Sequence, residues 1–188
     1  RDFILSKGGL TKIRVFSKIW LALFGQWKWS GIPTLPVELM LLPTWFPGNI
    51  YDFAAWARGT IVPLLIVLDR KPTRIIPESK FIDELYVKPQ SGINCDLQSV
   101  QKKLGWESLF VIADWLVKRI EKIPWNPLRS LAIKKAESWI LEHQEKDGSW
   151  GGIQPPWVYS LIALNCLGYD KSNPVVKHGL EGFNEFSI

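Results

Sequence analysis

Sulfur and imidazole are scarce in these 188 residues, which hold two Cys, two His and one Met. Two distant cysteines, Cys95 and Cys166, make neither a disulfide framework nor a zinc site, and a reducing, intracellular setting is expected. His143 and His178 are isolated, so no metal or cofactor is expected. Long apolar runs are also missing. The stretch Ile61–Leu68 contains Pro63 and falls far short of the roughly 18 residues that a membrane-crossing helix needs. No basic-then-apolar leader opens the chain. It starts on Arg1, from which we expect a fragment or a processed product. Charge is not concentrated either: 23 Lys+Arg stand against 18 Asp+Glu, net +5, with the signs interleaved. That is a weak case for nucleic acid and is compatible with an anionic lipid surface.

Tryptophan is abundant, with 11 residues, and the hydrophobic share of 47% with 22% charged residues describes a packed globular chain. The length suits one domain, or one and part of another, with a core that needs no covalent staples.

Apolar residues recur in steps of three and four from Leu10 to Phe24, predicting a helix that Gly25 stops. Pro33, Pro36, Pro43 and Pro47 leave room for a short helix around Val37–Leu42. A long helix is predicted from Tyr51 to about Asp69, bent where Pro63 removes a backbone donor. Residues 70–100 read as a surface connection. Trp106–Ile123 is strongly amphipathic. Asn126-Pro127 then resembles a cap followed by proline at the first helical position, opening a helix to about Gln144 or Lys146. Further helices are predicted over about Pro156–Leu167 and after Asn173-Pro174. No strand pattern is present. The expected fold is all-α, built of stacked helical hairpins, either closed into a barrel or left as a solenoid.

One segment is distinctive: Lys135, Ala136, Trp139, Ile140, Gln144, Gly148 and Trp150 stand at fixed spacing. A Gln amide in the last turn of a helix can stack on an indole past the turn while bonding the free amides of the next helix start. Any helical hairpin could use such a contact. The pattern nevertheless resembles the QW repeat of polycyclic triterpene cyclases, and Arg14–Leu23 and Asn49–Thr60 resemble the squalene–hopene cyclase family. The likeness extends over nearly all of residues 9–188, weakest at 72–104.

The resemblance implies an α/α double barrel (alpha-alpha toroid), with residues 1–188 forming most of a barrel domain inserted into a second, catalytic barrel. In that family the protonating acid belongs to an Asp-x-Asp-Asp motif of the second barrel. The aspartates here, at 2, 52, 69, 83, 96, 114, 147 and 170, form no such motif and no metal-binding cluster. No catalytic residue is therefore expected in this chain, and the isolated chain is expected to be inactive. The complete enzyme would be an isomerase or lyase type of cyclase in hopanoid or triterpenoid synthesis. It would fold squalene or a C35 analogue for cationic polycyclisation.

Carbocations need a dry cavity walled by ring faces. By resemblance, Trp56, Ile153, Gln154 and Pro155 match the cavity wall, and Phe53 and Ile61 the substrate channel. Arg14, Trp20, Gln154 and Tyr159 match a water network that accepts the last proton. Read without the family, Phe53, Trp56 and Ile61 are core packing, Arg14 is a surface residue and Tyr159 a satisfied core residue. The family is monotopic, so the expected location is the cytoplasmic side of the cell membrane. Leu109, Phe110 and Leu116 of the amphipathic segment are the expected contact, the alternative being an outer helix packed inward. Expected partners are a linear isoprenoid, the membrane, the catalytic domain of the same polypeptide and a second copy in a homodimer. A rival class is a non-catalytic helical module that binds a lipid or a protein. The related protein prenyltransferase barrel needs a zinc site that these Cys and His positions do not provide.

Overall fold

The computed structural model describes residues 1–87 and 127–186. All regular structure among them is helical, as expected, with six α-helices joined by 3-10 turns and no strand. Cys95, Asn126 and the amphipathic segment with Leu109, Phe110 and Leu116 lie outside the described residues. The chain divides into two compact units, 1–34 with 71–116 and 35–70 with 117–188.

In the first unit, α1 spans Asp2–Ser6 and α2 spans Val15–Leu23. The helix expected from Leu10 therefore begins five residues late. Gly8 and Gly9 have positive φ and lead into a 3-10 turn, Gly9–Lys12, after which Ile13 and Arg14 are extended. Steps of three and four do not separate a 3-10 turn followed by a helix from one continuous helix. Helix α2 buries Ile19, Ala22 and Leu23. It ends at Gly25, where Gln26 N–H donates to Leu21 O (2.8 Å) and Gly25 N–H to Ala22 O (3.0 Å).

The segment after residue 70 is more than a surface connection. Arg74 N–H donates to Leu23 O (2.8 Å), and Trp29 Nε1 to Thr73 Oγ1 (3.0 Å). Ile82 N–H donates to Gln26 Oε1 (3.0 Å), and the Tyr86 hydroxyl donates to Gln26 O. Tyr86 is buried and stacks on Trp27, whose ring also carries the Lys18 ammonium 4.9 Å from its centroid. Backbone and indole groups that would otherwise lack partners anchor this connection, which hydrophobic periodicity does not report.

In the second unit, α3 spans Ala55–Arg70, α4 Pro127–Glu142, α5 Gln154–Cys166 and α6 Pro174–Phe186. Every residue from Val62 to Leu68 is buried, so α3 is apolar all round, as a central helix is. It packs against α4 and α5, while α4 also packs on the 3-10 turn Val37–Leu41. Ala132, Ala136 and Ile140 of α4 and Ala163 and Leu164 of α5 have essentially no exposure. Burying a side chain as large as Ile140 or Leu164 contributes about 1.5–3 kcal/mol, and each alanine methyl less. Prolines open α4 and α6 at positions where no backbone N–H is needed. Helix α4 stops at Glu142, short of the expected Gln144 or Lys146.

The start of α3 also differs from expectation. Asn49, 1% exposed, accepts from Tyr51 N–H (2.8 Å) and donates Nδ2 to Thr44 O and Phe46 O. It caps a 3-10 turn, Ile50–Asp52, after which Phe53 is extended. Phe53 therefore precedes the helix and shares no helical face with Ile61. The asparagine cap has fixed the chain before the α-helix begins.

Candidate functional site

Three segments of the second unit converge on one cleft of about 330 Å³. Helix α3 contributes Ala55, Trp56, Arg58 and Gly59 from its first turns. The end of α4 contributes Trp139, and the turn that follows contributes His143, Glu145, Trp150 and Gly151. The start of α5 adds Ile153 and Pro156. Trp56 is 69% exposed and Ile153, the residue before α5, is 42% exposed. Both present apolar surface to open space rather than to a core. The Arg58 guanidinium lies over the Tyr51 ring, 5.1 Å from its centroid.

The turn between α4 and α5 is held by its own polar groups. Glu145 N–H donates to Ser149 O (2.8 Å), and Ser149 Oγ donates to Glu145 Oε2 (3.0 Å). Ser149 N–H donates to Asp147 Oδ1 (2.9 Å), and this bond holds the Asp147 carboxyl below its ordinary pKa. Gly148 has φ +83°, and a Cβ there would stand 2.3 Å from the carbonyl oxygen of His178. Glycine is required twice, by backbone conformation and by the approach of α6. Trp150, 2% exposed, donates its indole N–H to Ile140 O (2.8 Å). The His143 ring stacks on Trp139 at 3.8 Å, with Nδ1 2.8 Å from Trp139 O.

Gln144 behaves differently from the expected link to the amides that open the next helix. Its Nε2 donates to Gly148 O (3.2 Å) and to Val175 O (2.9 Å) in the first turn of α6. The amide nitrogen is a donor, and carbonyls of the turn and of α6 lie within its reach.

The residues singled out from the sequence are distributed unevenly. Trp56 and Ile153 line the cleft, whereas Gln154 and Pro155 are in the first turn of α5 and Phe53 and Ile61 are elsewhere in the unit. Tyr159 is buried on α5 at 2% exposure. In the first unit, Trp20 is half-buried, with its ring 6.5 Å from that of Phe24. Arg14 immediately precedes α2, makes no side-chain capping bond and is exposed. Its extended backbone places it before the helix starts. Sequence reasoning missed Gly59 and Pro156, whose only signal was proline in a helical first turn and glycine inside a helix. Among the described residues, no group of His, Cys, Asp and Glu could hold a metal, and no helix is long and apolar enough to cross a membrane.

The regular structure of the described residues is all helical, and one hairpin is tied by Trp150 across its glycine turn, consistent with an α/α toroid. The family profile described as "Squalene-hopene cyclase N-terminal domain" matches residues 1–188, and the chain belongs to that family. It is 44% identical over 188 residues to the dammaradiene synthase of Dryopteris crassirhizoma, covering 99% of this chain and 27% of that protein. It is 39% identical over 186 residues to the squalene–hopene cyclase of Alicyclobacillus acidocaldarius, covering 99% and 28%. The squalene hopane cyclase afumA of Aspergillus fumigatus is 35% identical over 201 residues, with 100% and 26% covered. The chain thus spans about a quarter of the length of these curated relatives.

Proposed function

We propose that this chain is the cavity-wall part of a cyclase that folds a linear polyprene, squalene or a C35 analogue, for cationic polycyclisation. The observation that carries the reading is that Trp56 and Ile153, far apart in sequence, line one cleft with Trp139 and Trp150. Indole faces stabilise developing cations and exclude water. Phe53 and Ile61 belong to the path by which the substrate arrives. By family resemblance, Arg14 and Trp20 of the first unit, and Gln154 and Tyr159 of the second, match residues that end the reaction through ordered water. The protonating acid is supplied by a second barrel of the same polypeptide, since none of the eight aspartates forms an Asp-x-Asp-Asp motif.

The relatives named above support the cyclase class. A monotopic place on the cytoplasmic side of the membrane is supported by the amphipathic sequence pattern around Leu109, Phe110 and Leu116. The test is to incubate the full-length polypeptide with squalene and a C35 polyprene and analyse the extract by mass spectrometry. Polycyclic products are expected from the full-length protein and none from the 188-residue chain alone. A full-length protein that leaves both substrates linear refutes the reading.

A further inference from the structure

We infer that Gly59 sets the size of the cleft and thereby its selectivity among apolar chains, an inference that rests on the cavity-wall reading above. Gly59 lies on α3 one turn beyond Ala55 and Trp56 and lines the cleft with them. Its φ is not in the left-handed region, and a Cβ would meet a single atom within 4 Å outside its own helix backbone, Pro156 Cβ at 3.4 Å. Neither conformation nor crowding demands glycine, and glycine inside a helix is less stable than alanine.

Two other helical glycines of this unit differ. A Cβ on Gly179 would stand 3.0 Å from both Leu161 and Trp150, and one on Gly182 would stand 2.1 Å from Asp147 O. Those two are required by packing. What the missing side chain at 59 leaves is space in front of Pro156, beside Trp56 and Ile153. A side chain there starts toward Pro156 and fills the cleft from its α3 wall. The ligand class this favours is a bulky, open-chain hydrocarbon with methyl branches, such as a C30 isoprenoid.

One rival role is local. Pro63, four residues on, has no N–H for the Gly59 carbonyl, and its ring crowds that carbonyl. Glycine could ease that turn, and alanine would then lower the melting temperature.

The experiment compares full-length wild type, Gly59→Ala and Gly59→Leu. It measures squalene products, binding of squalane (the saturated, unreactive C30 hydrocarbon) and Tm. Expected are a loss of squalane affinity of about two- to five-fold in Gly59→Ala and about ten-fold in Gly59→Leu. Squalene products in Gly59→Leu should shift toward incompletely cyclised ones. Gly59→Ala should melt at or above the wild-type temperature. A folded Gly59→Leu that binds squalane like wild type overturns the inference, as does Gly59→Ala with a lowered Tm and unchanged affinity. If the leucine variant does not fold, the alanine variant decides. A wild type that binds squalane but cyclises nothing sinks the cyclase reading and leaves Gly59 to be judged on squalane affinity. A wild type that binds no squalane sinks both.

Discussion

The Trp150 indole reaches back across the Gly148 turn to the carbonyl of Ile140, ten residues earlier, at 2.8 Å. That carbonyl lies in the last turn of α4, where the helix itself offers no donor four positions on. The His143 amide also reaches it, at 3.3 Å, so the indole supplies one of two bonds. Trp150→Phe keeps most of the buried ring and removes the donor. The expected loss is about 1–2 kcal/mol, a fall in Tm of roughly 2–4 °C per kcal/mol for a chain of this size. Thermal unfolding followed by circular dichroism checks it, and an unchanged Tm means that His143 suffices.

A second tie joins α3 to α4. Arg129 donates from Nε and Nη2 to Asp69 Oδ1, each at 2.5 Å, and the Asp69 side chain is only 8% exposed. Arg129 is 23% exposed, so water screens the pair in part. Asp69→Ala should lower stability by about 1–3 kcal/mol, since it leaves a half-buried guanidinium without its carboxylate. Asp69→Ala with Arg129→Met should cost less than the sum of the two single changes. Urea unfolding of all four proteins gives the coupling, and strict additivity would show that the pair contributes nothing.

Chain breaks were legible in the sequence, because proline and glycine act through backbone chemistry. Pro127 and Pro174 open helices, and Gly25 closes one, where the sequence places them. The helix starts at Val15 and Ala55 were not legible, since 3-10 turns share the apolar spacing of a helix and the Asn49 cap acts through its side chain. Gln144 showed that it serves a turn but not that its partner is Val175, which only packing of α6 brings near. Trp56 and Ile153 were named through family likeness. Gly59 carries no side chain for a pattern to register, and its role follows from what its Cβ would meet.

Acid should weaken the turns that flank α5 and α6. Asp147 accepts from Ser149 N–H, and Asp170 accepts from Ser172 and Asn173, so both carboxyls are held below their ordinary value of 3.8. A carboxyl with a depressed folded pKa adds stability that is present above the unfolded value and is lost as pH falls through the folded one. Stability should therefore stay level from neutral pH to about 5 with respect to these groups and decline below 3.8. Asp147→Asn and Asp170→Asn keep an acceptor oxygen while removing the titration. Unfolding curves of the double variant should decline less steeply in that range, and an unaltered slope assigns the acid sensitivity to other groups.

The last prediction separates wall from core with two isoleucines. Ile140 has no exposure and sits among the buried side chains of α4, while Ile153 is 42% exposed at the cleft. Truncating Ile140 to alanine leaves a cavity in packed surroundings, at about 2–5 kcal/mol. Truncating Ile153 removes a side chain that already faces open space, and its effect on stability should stay below about 1 kcal/mol. In the full-length protein the order should reverse for chemistry. On the cavity-wall reading proposed above, Ile153→Ala enlarges the space beside Trp56 and should change which folded form of a polyene is held, because reacting carbons must be positioned before the cation reaches them. Mass spectrometry of squalene products, paired with Tm, measures both effects. An Ile153→Ala protein that melts early yet gives the wild-type product mixture would make Ile153 a core residue and remove the cleft from the reaction.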